Sequence, residues 1–140
     1  MPFASWNANA RGEYWIDVAL AGQRLQVLVD TGLLDVRGQV GFSIDASEYD
    51  AFKKAGRFHR HQLHTRLMAD GGLGVTESGL LDAQIFCPQL KQPVGPVVPI
   101  RVYRGAPGVP DRVGLAFFHK LKGCSVLWEL DQRSWRIDYP

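Results

Sequence analysis

An aspartate closes the apolar run Val27-Leu28-Val29 and is followed by Thr31 and Gly32. A carboxylate delivered by an apolar strand is costly to bury unless something compensates its charge. One arrangement that does so sets two carboxylates side by side with a shared proton. Like charges a few ångströms apart do not both ionise, so one pKa falls while the other rises. Such a pair activates a water as base and protonates a carbonyl oxygen as acid. Gly32 lets the chain turn sharply and brings N–H groups toward the carboxylate. Thr31 offers a hydroxyl that can bond across the pair.

The chain holds no second Asp-Thr-Gly and no Asp-Ser-Gly. Asp70-Gly71 lacks the central hydroxyl residue, and Asp35 stands only five positions from Asp30, which does not build a symmetric pair. A site made of two equivalent aspartates therefore needs two copies of the chain, related by a two-fold axis.

Other residues with chemical potential rank lower. His59, His61 and His64 lie in a basic stretch whose spacing matches no familiar zinc pattern, so an exposed basic loop over residues 57–66 is expected. Gly71-Gly72-Leu73-Gly74 is not followed by the Gly-Lys-Ser/Thr of a phosphate loop. Ser78 lacks a Gly-x-Ser-x-Gly context. Cys87 and Cys124 are far apart in sequence and read as structural thiols.

The elements that position Asp30 follow from periodicity. Tyr14, Ile16, Val18 and Leu20 alternate, as do Leu25, Val27 and Val29 beyond the Ala21-Gly22-Gln23 turn, which predicts a β-hairpin ending at Asp30. Strands are expected near Gln39–Ile44, Leu67–Ala69, Gly79–Phe86 and Val97–Tyr103. One helix is expected, capped by Ser47, with Lys53-Lys54 at its C-terminal end and Gly56 stopping it. Gly114–Leu121 reads as either a strand end or a short helix, and the C-terminus as strand, turn, strand from Ser125 to Tyr139. Trp135 to Tyr139 would serve either an interface or the interior.

A chain of 140 residues with a net charge of +2 fits one domain, and that charge is too small to imply nucleic acid or membrane as partner. The start lacks the basic and apolar stretches of a signal peptide, and the two unpaired cysteines suit a reducing compartment, so a cytoplasmic protein is expected.

The order of these motifs resembles the retropepsin-like, single-domain aspartic proteases. There a hairpin strand delivers Asp-Thr-Gly, a mobile flap closes over substrate, and a later apolar-Gly segment crosses behind the site. Met68-Ala69-Asp70-Gly71-Gly72-Leu73-Gly74 is similar to the flap, and Val113-Gly114-Leu115-Ala116-Phe117-Phe118 to the later segment. The resemblance implies a mostly β, closed barrel-like fold with one or two short helices, forming one subunit of a two-fold dimer. The family-like core would span residues 13–139 after an N-terminal extension of residues 1–12. It further implies peptide-bond hydrolysis with Asp30 catalytic, and Thr31 and Gly32 shaping its loop. Asp70, Gly71, Gly72, Leu73 and Gly74 would meet a protein or peptide substrate, without metal or cofactor. A catalytically silent peptide-binding dimer of the same fold is the alternative. Leu33 replaces the family's usual Ala or Ser, Asp111-Arg112 interrupts a usually apolar run, and the flap holds no Tyr or Trp.

Overall fold

The computed structural model describes residues 2–30, 33, 39–67, 70–84, 87–90, 96–121 and 123–140. The strands are β1 (Phe3–Asn7), β2 (Trp15–Leu20), β3 (Gln23–Val29), β4 (Val40–Ile44), β5 (Arg60–Leu67), β6 (Leu73–Gln84), β7 (Val97–Arg104), β8 (Arg112–Val113), β9 (Ser125–Glu129) and β10 (Ser134–Asp138). Helix α1 spans Ala46–Lys54 and the single turn α2 spans Ala116–His119. Among the described residues no helix is long and apolar enough to cross a membrane.

The predicted hairpin forms as β2 and β3, paired antiparallel from Trp15↔Leu28 to Leu20↔Gln23. Its tight turn is made by Ala21 and Gly22, both at positive φ, where glycine carries no steric cost. The alternation has the expected result: Ile16, Val18, Leu20, Leu25 and Val27 are buried on one face. Strand β3 then continues into a seven-stranded sheet of order β2-β3-β8-β4-β7-β6-β5. The β3–β8 and β4–β7 pairs are parallel, which brings together strands distant in sequence.

The second sheet has three strands in the order β1-β10-β9. Trp6, Trp135 and Trp128 occupy one transverse row of it. Their rings stack with centroids 4.3 Å and 4.8 Å apart, and Phe118 of α2 meets Trp135 edge-on at 5.6 Å. Trp135, Ile137 and Tyr139 are buried within the chain, so β10 packs internally.

The mostly β expectation holds, but barrel closure does not: among the described residues the strands form two open sheets, with β2 and β5 at the edges of the larger. The expected helix forms, yet its N-cap is Asp45 and not Ser47. The Asp45 carboxylate accepts from the Ser47 N–H at 2.9 Å and also from the Gly108 N–H at 2.6 Å, a second contact that only the tertiary fold supplies. The basic stretch expected as a loop is instead mostly strand β5, paired in register with β6 from Arg60↔Leu80 to Leu67↔Leu73. Backbone pairing with a long partner outweighs the weak side-chain pattern of β5. Ile85 and Phe86, the end of the strand expected to reach Phe86, lie outside the described residues. The ambiguous Gly114–Leu121 segment contains α2.

The base of the β5–β6 hairpin is fixed to α1 by Phe58. Its ring lies against Tyr49 and Phe52, with centroids 5.0 Å and 6.0 Å away, and covers the backbone of Gly79. A Cβ added at Gly79 would clash with the Phe58 ring. Gly79→Ala is therefore expected to destabilise the protein by about 1–3 kcal/mol through overpacking. Urea unfolding checks this, and an unchanged midpoint would mean the ring moves aside freely.

Candidate active site

Asp30 follows directly on β3. Its N–H donates to the Val113 carbonyl at 3.0 Å, extending the parallel β3–β8 pairing by one bond, and its carbonyl accepts from the Leu33 N–H at 3.2 Å. Because side chains alternate along a strand, Asp30 and Leu28 share a face. Arg112 is the register partner of Leu28, so its guanidinium emerges beside the carboxylate. Arg112 Nη1 donates to Asp30 Oδ2 at 3.1 Å, with the two side chains 41% and 26% exposed. The pair is therefore half-open to solvent. It lines a cavity of about 350 Å³ together with Gly12, Glu13, Tyr14, Leu28 and Val29. Glu13 is held in that wall by Asn9, whose side-chain amide donates to Glu13 Oε1 at 2.8 Å.

The face that carries Asp30 extends across the larger sheet. Trp15, Leu28, Arg112, Ser43, Tyr103, Ser78 and Gln62 are successive register partners, one from each of the seven strands. The opposite face carries Val27, Phe42, Val102, Val113 and Leu81, all buried in the core. One side of this sheet thus packs the interior, and the other carries polar groups from the Asp30 site to the β5–β6 hairpin.

At the hairpin end those groups form a closed network. Ser78 is fully buried, and Arg101 is 8% exposed. Arg101 Nη1 donates to Ser78 Oγ at 2.8 Å and Arg101 Nε to Gln39 Oε1 at 2.9 Å. His64 Nε2 lies 2.6 Å from Ser78 Oγ, and its ring packs on Tyr103. A serine so enclosed has no path to substrate, so this Ser–His contact is structural. Arg101 links the strand β4 entrance, reached from the Asp30 loop, to the base of the hairpin.

On the other side of β8, Asp111 accepts the Asp45 N–H at 2.8 Å and lies against Glu48 of α1. Among the described residues Glu48 Oε2 is buried without a donor to accept from. Two carboxyl groups in contact can bond only by holding a proton between them. The Asp111 contact, followed by burial, pushes the Glu48 carboxyl up to about 7. Among the thiols, burial pushes Cys87 up to about 11 and also raises Cys124, so neither favours the nucleophilic thiolate.

Of the residues singled out by sequence, Asp30 lines the cavity just described, while Thr31 and Gly32 lie outside the described residues. Asp70, Gly71 and Gly72 form the hairpin tip, where Asp70 Oδ1 accepts the Gly72 N–H at 2.9 Å and Gly71 has φ of 85°. Leu73 and Gly74 begin β6, and Met68 and Ala69 of the same motif lie outside the described residues. The histidines disperse: His59 turns to Asp82, His61 to the edge of Phe58 and His64 to Ser78. Sequence reasoning missed Arg112 as a partner of Asp30; the visible signal was the charged pair Asp111-Arg112 breaking an apolar run. No local signal marked Arg101 or the Glu48–Asp111 contact.

No family model matches the chain, and no curated protein sequence does. Among solved structures it is similar to a retropepsin-like aspartic protease from Rickettsia conorii. The TM-score is 0.56, with 97% of this chain and 98% of that chain covered at 14% identity. At that identity the likeness is one of fold.

The Glu48–Asp111 contact predicts a pH-dependent stability. The folded pKa of Glu48 lies above its ordinary 4.5, so the contribution is complete below about pH 4.5 and is lost as pH rises through about 7. Thermal unfolding of the wild type should weaken across that window, whereas Glu48→Gln should show a flatter profile. Parallel profiles for both proteins would remove the shared proton from the account.

Proposed function

We propose that this protein is an aspartic endopeptidase whose active unit is a homodimer, with Asp30 of each copy forming the carboxylate pair. The observation that carries this reading is the placement of Asp30. In a retropepsin-like fold, a hairpin strand delivers the chain's one Asp-Thr-Gly aspartate to a solvent-accessible cavity. In the dimer the two carboxyl groups hold one proton between them. The ionised member takes a proton from water while the water oxygen attacks the scissile carbonyl carbon. The protonated member donates to the carbonyl oxygen, giving a neutral tetrahedral diol. Collapse of the diol breaks the C–N bond, with a proton passing to the leaving nitrogen. Thr31 and Gly32, which complete the motif, are assigned to the active-site loop in this reading. The hairpin tip at Asp70–Gly74 folds over an extended peptide and pairs with its backbone as an added strand.

A silent peptide-binding dimer is favoured by one observation, the ion pair between Asp30 and Arg112, which ties up the carboxylate within a single chain. Digestion of a diverse peptide library by wild type and Asp30→Asn, read by mass spectrometry between about pH 3 and pH 8, separates the two readings. The endopeptidase reading expects cleavage by wild type and a loss of at least about a thousand-fold in the Asn variant, which keeps the shape but not the titrating group. Cleavage retained by Asp30→Asn overturns the mechanism. Cleavage by neither, from a protein that sediments as a dimer, leaves the binding module.

A further inference from the structure

We infer that Arg112 determines substrate choice, by taking an acidic side chain of the peptide next to the scissile bond. This deepens the endopeptidase reading and rests on Asp30 being the reacting carboxylate. Four observations converge on it.

Arg112 stands on the face of the sheet that carries Asp30, within hydrogen-bond distance of that carboxylate. A group bound where Asp30 acts is therefore within reach of the guanidinium. Second, Arg112 is 41% exposed and lines the same cavity of about 350 Å³. Its contact with Asp30 uses Nη1, and among the described residues Nε and Nη2 have no partner. A planar guanidinium presents its donors as a fork that matches a carboxylate in two-point geometry, so the Nε–Nη2 edge is a preformed pair of donors for a carboxylate to accept from.

Third, Arg112 is the one basic residue among the described residues that line this cavity, and Glu13 in the same wall accepts from the Asn9 amide at 2.8 Å. An anionic side chain bound there therefore has Arg112 as its cation to pair with. Fourth, Arg112 is the charged member of its register row, with Leu28 of β3 on one side and Ser43 of β4 on the other. An acidic side chain that reaches this part of the sheet beside Asp30 meets the guanidinium as its charged partner.

Matched peptides differing only in Glu against Gln, or Asp against Asn, at the positions flanking the cleaved bond provide the test. They are offered to the full-length wild type, Arg112→Leu and Arg112→Lys. Cleavage is compared as kcat/KM. Binding of the same peptides to Asp30→Asn, with and without the Arg112 changes, is followed by fluorescence anisotropy, so a ligand preference is read even without turnover. Wild type should favour the acid at one flanking position by about ten-fold or more, as one charge-assisted pair provides. Arg112→Leu should bring that ratio near one, and Arg112→Lys should keep part of it. Turnover with an apolar preference unmoved by either substitution overturns the role of Arg112 and leaves the peptidase standing. Acid-dependent binding without turnover supports the role of Arg112 while the peptidase reading fails. Neither turnover nor acid-dependent binding overturns both. A misfolded Leu variant would be recognised by its unfolding curve, and the Lys variant then decides.

Discussion

A carboxylate at the end of an apolar strand has to be matched by another charge, and in this chain the match comes from the strand alongside. Parallel pairing of Leu28 with Arg112 and Val29 with Val113 sets the register. A shift of one residue would turn Arg112 into the core and bring Val113 to Asp30. The ion pair and the buried Val113 are thus two consequences of one alignment. Much of the fold serves to hold it. The β2–β3 hairpin holds one side, and β4 pairs with β8 on the other, again using Val113 and Arg112.

That alignment divides the larger sheet into two unlike faces. The interior face is continuous apolar packing, from Ile16 and Val27 through Phe42 and Val113 to Val102 and Leu81. The outer face is polar at Arg112, Ser43, Tyr103 and Ser78, and ends in the buried network around Arg101. A buried guanidinium is expensive unless its donors are used, and Ser78, Gln39 and Gln62 accept from it. Such a network is rigid because breaking any member strands the others. It therefore ties the segment entering β4 to the root of the β5–β6 hairpin. The distal part of that hairpin is different in kind, since Leu63, Leu67, Leu73 and Val75 stand more than two-thirds exposed on one side.

Where local chemistry decides the structure, the sequence was informative. Strict alternation and a glycine turn made the β2–β3 hairpin legible, and the Asp-Thr-Gly at its end marked the aspartate. The helix was legible too, but its cap was misplaced by two positions. Asp45 and Ser47 are both good caps, and the choice depends on Gly108, distant in sequence. Strand β5 was hidden because Arg60-His61-Gln62-Leu63-His64 carries no apolar period, and only its pairing with β6 makes it extended. Arg112 was hidden for a related reason. Its partner lies more than eighty residues earlier, and charge in an apolar run shows that something compensates it without showing what. Strand β1 was not anticipated, since five residues at the start of a chain carry little pattern without the tryptophan row they join.

The three-stranded sheet joins the two ends of the chain: Phe3 pairs with Asp138, and the Tyr139 N–H donates to the Pro2 carbonyl at 3.0 Å. Among the described residues β10 is the strand that β1 pairs with, and it follows every other described strand in chain order. During translation β1 therefore waits for its partner until β10 has emerged, and the tryptophan stack assembles only then. Closing so long a loop makes this sheet a late and slow step of folding. In the interval, an unpaired strand bearing Phe3 and Trp6 is the part of the molecule most open to pairing with the wrong chain.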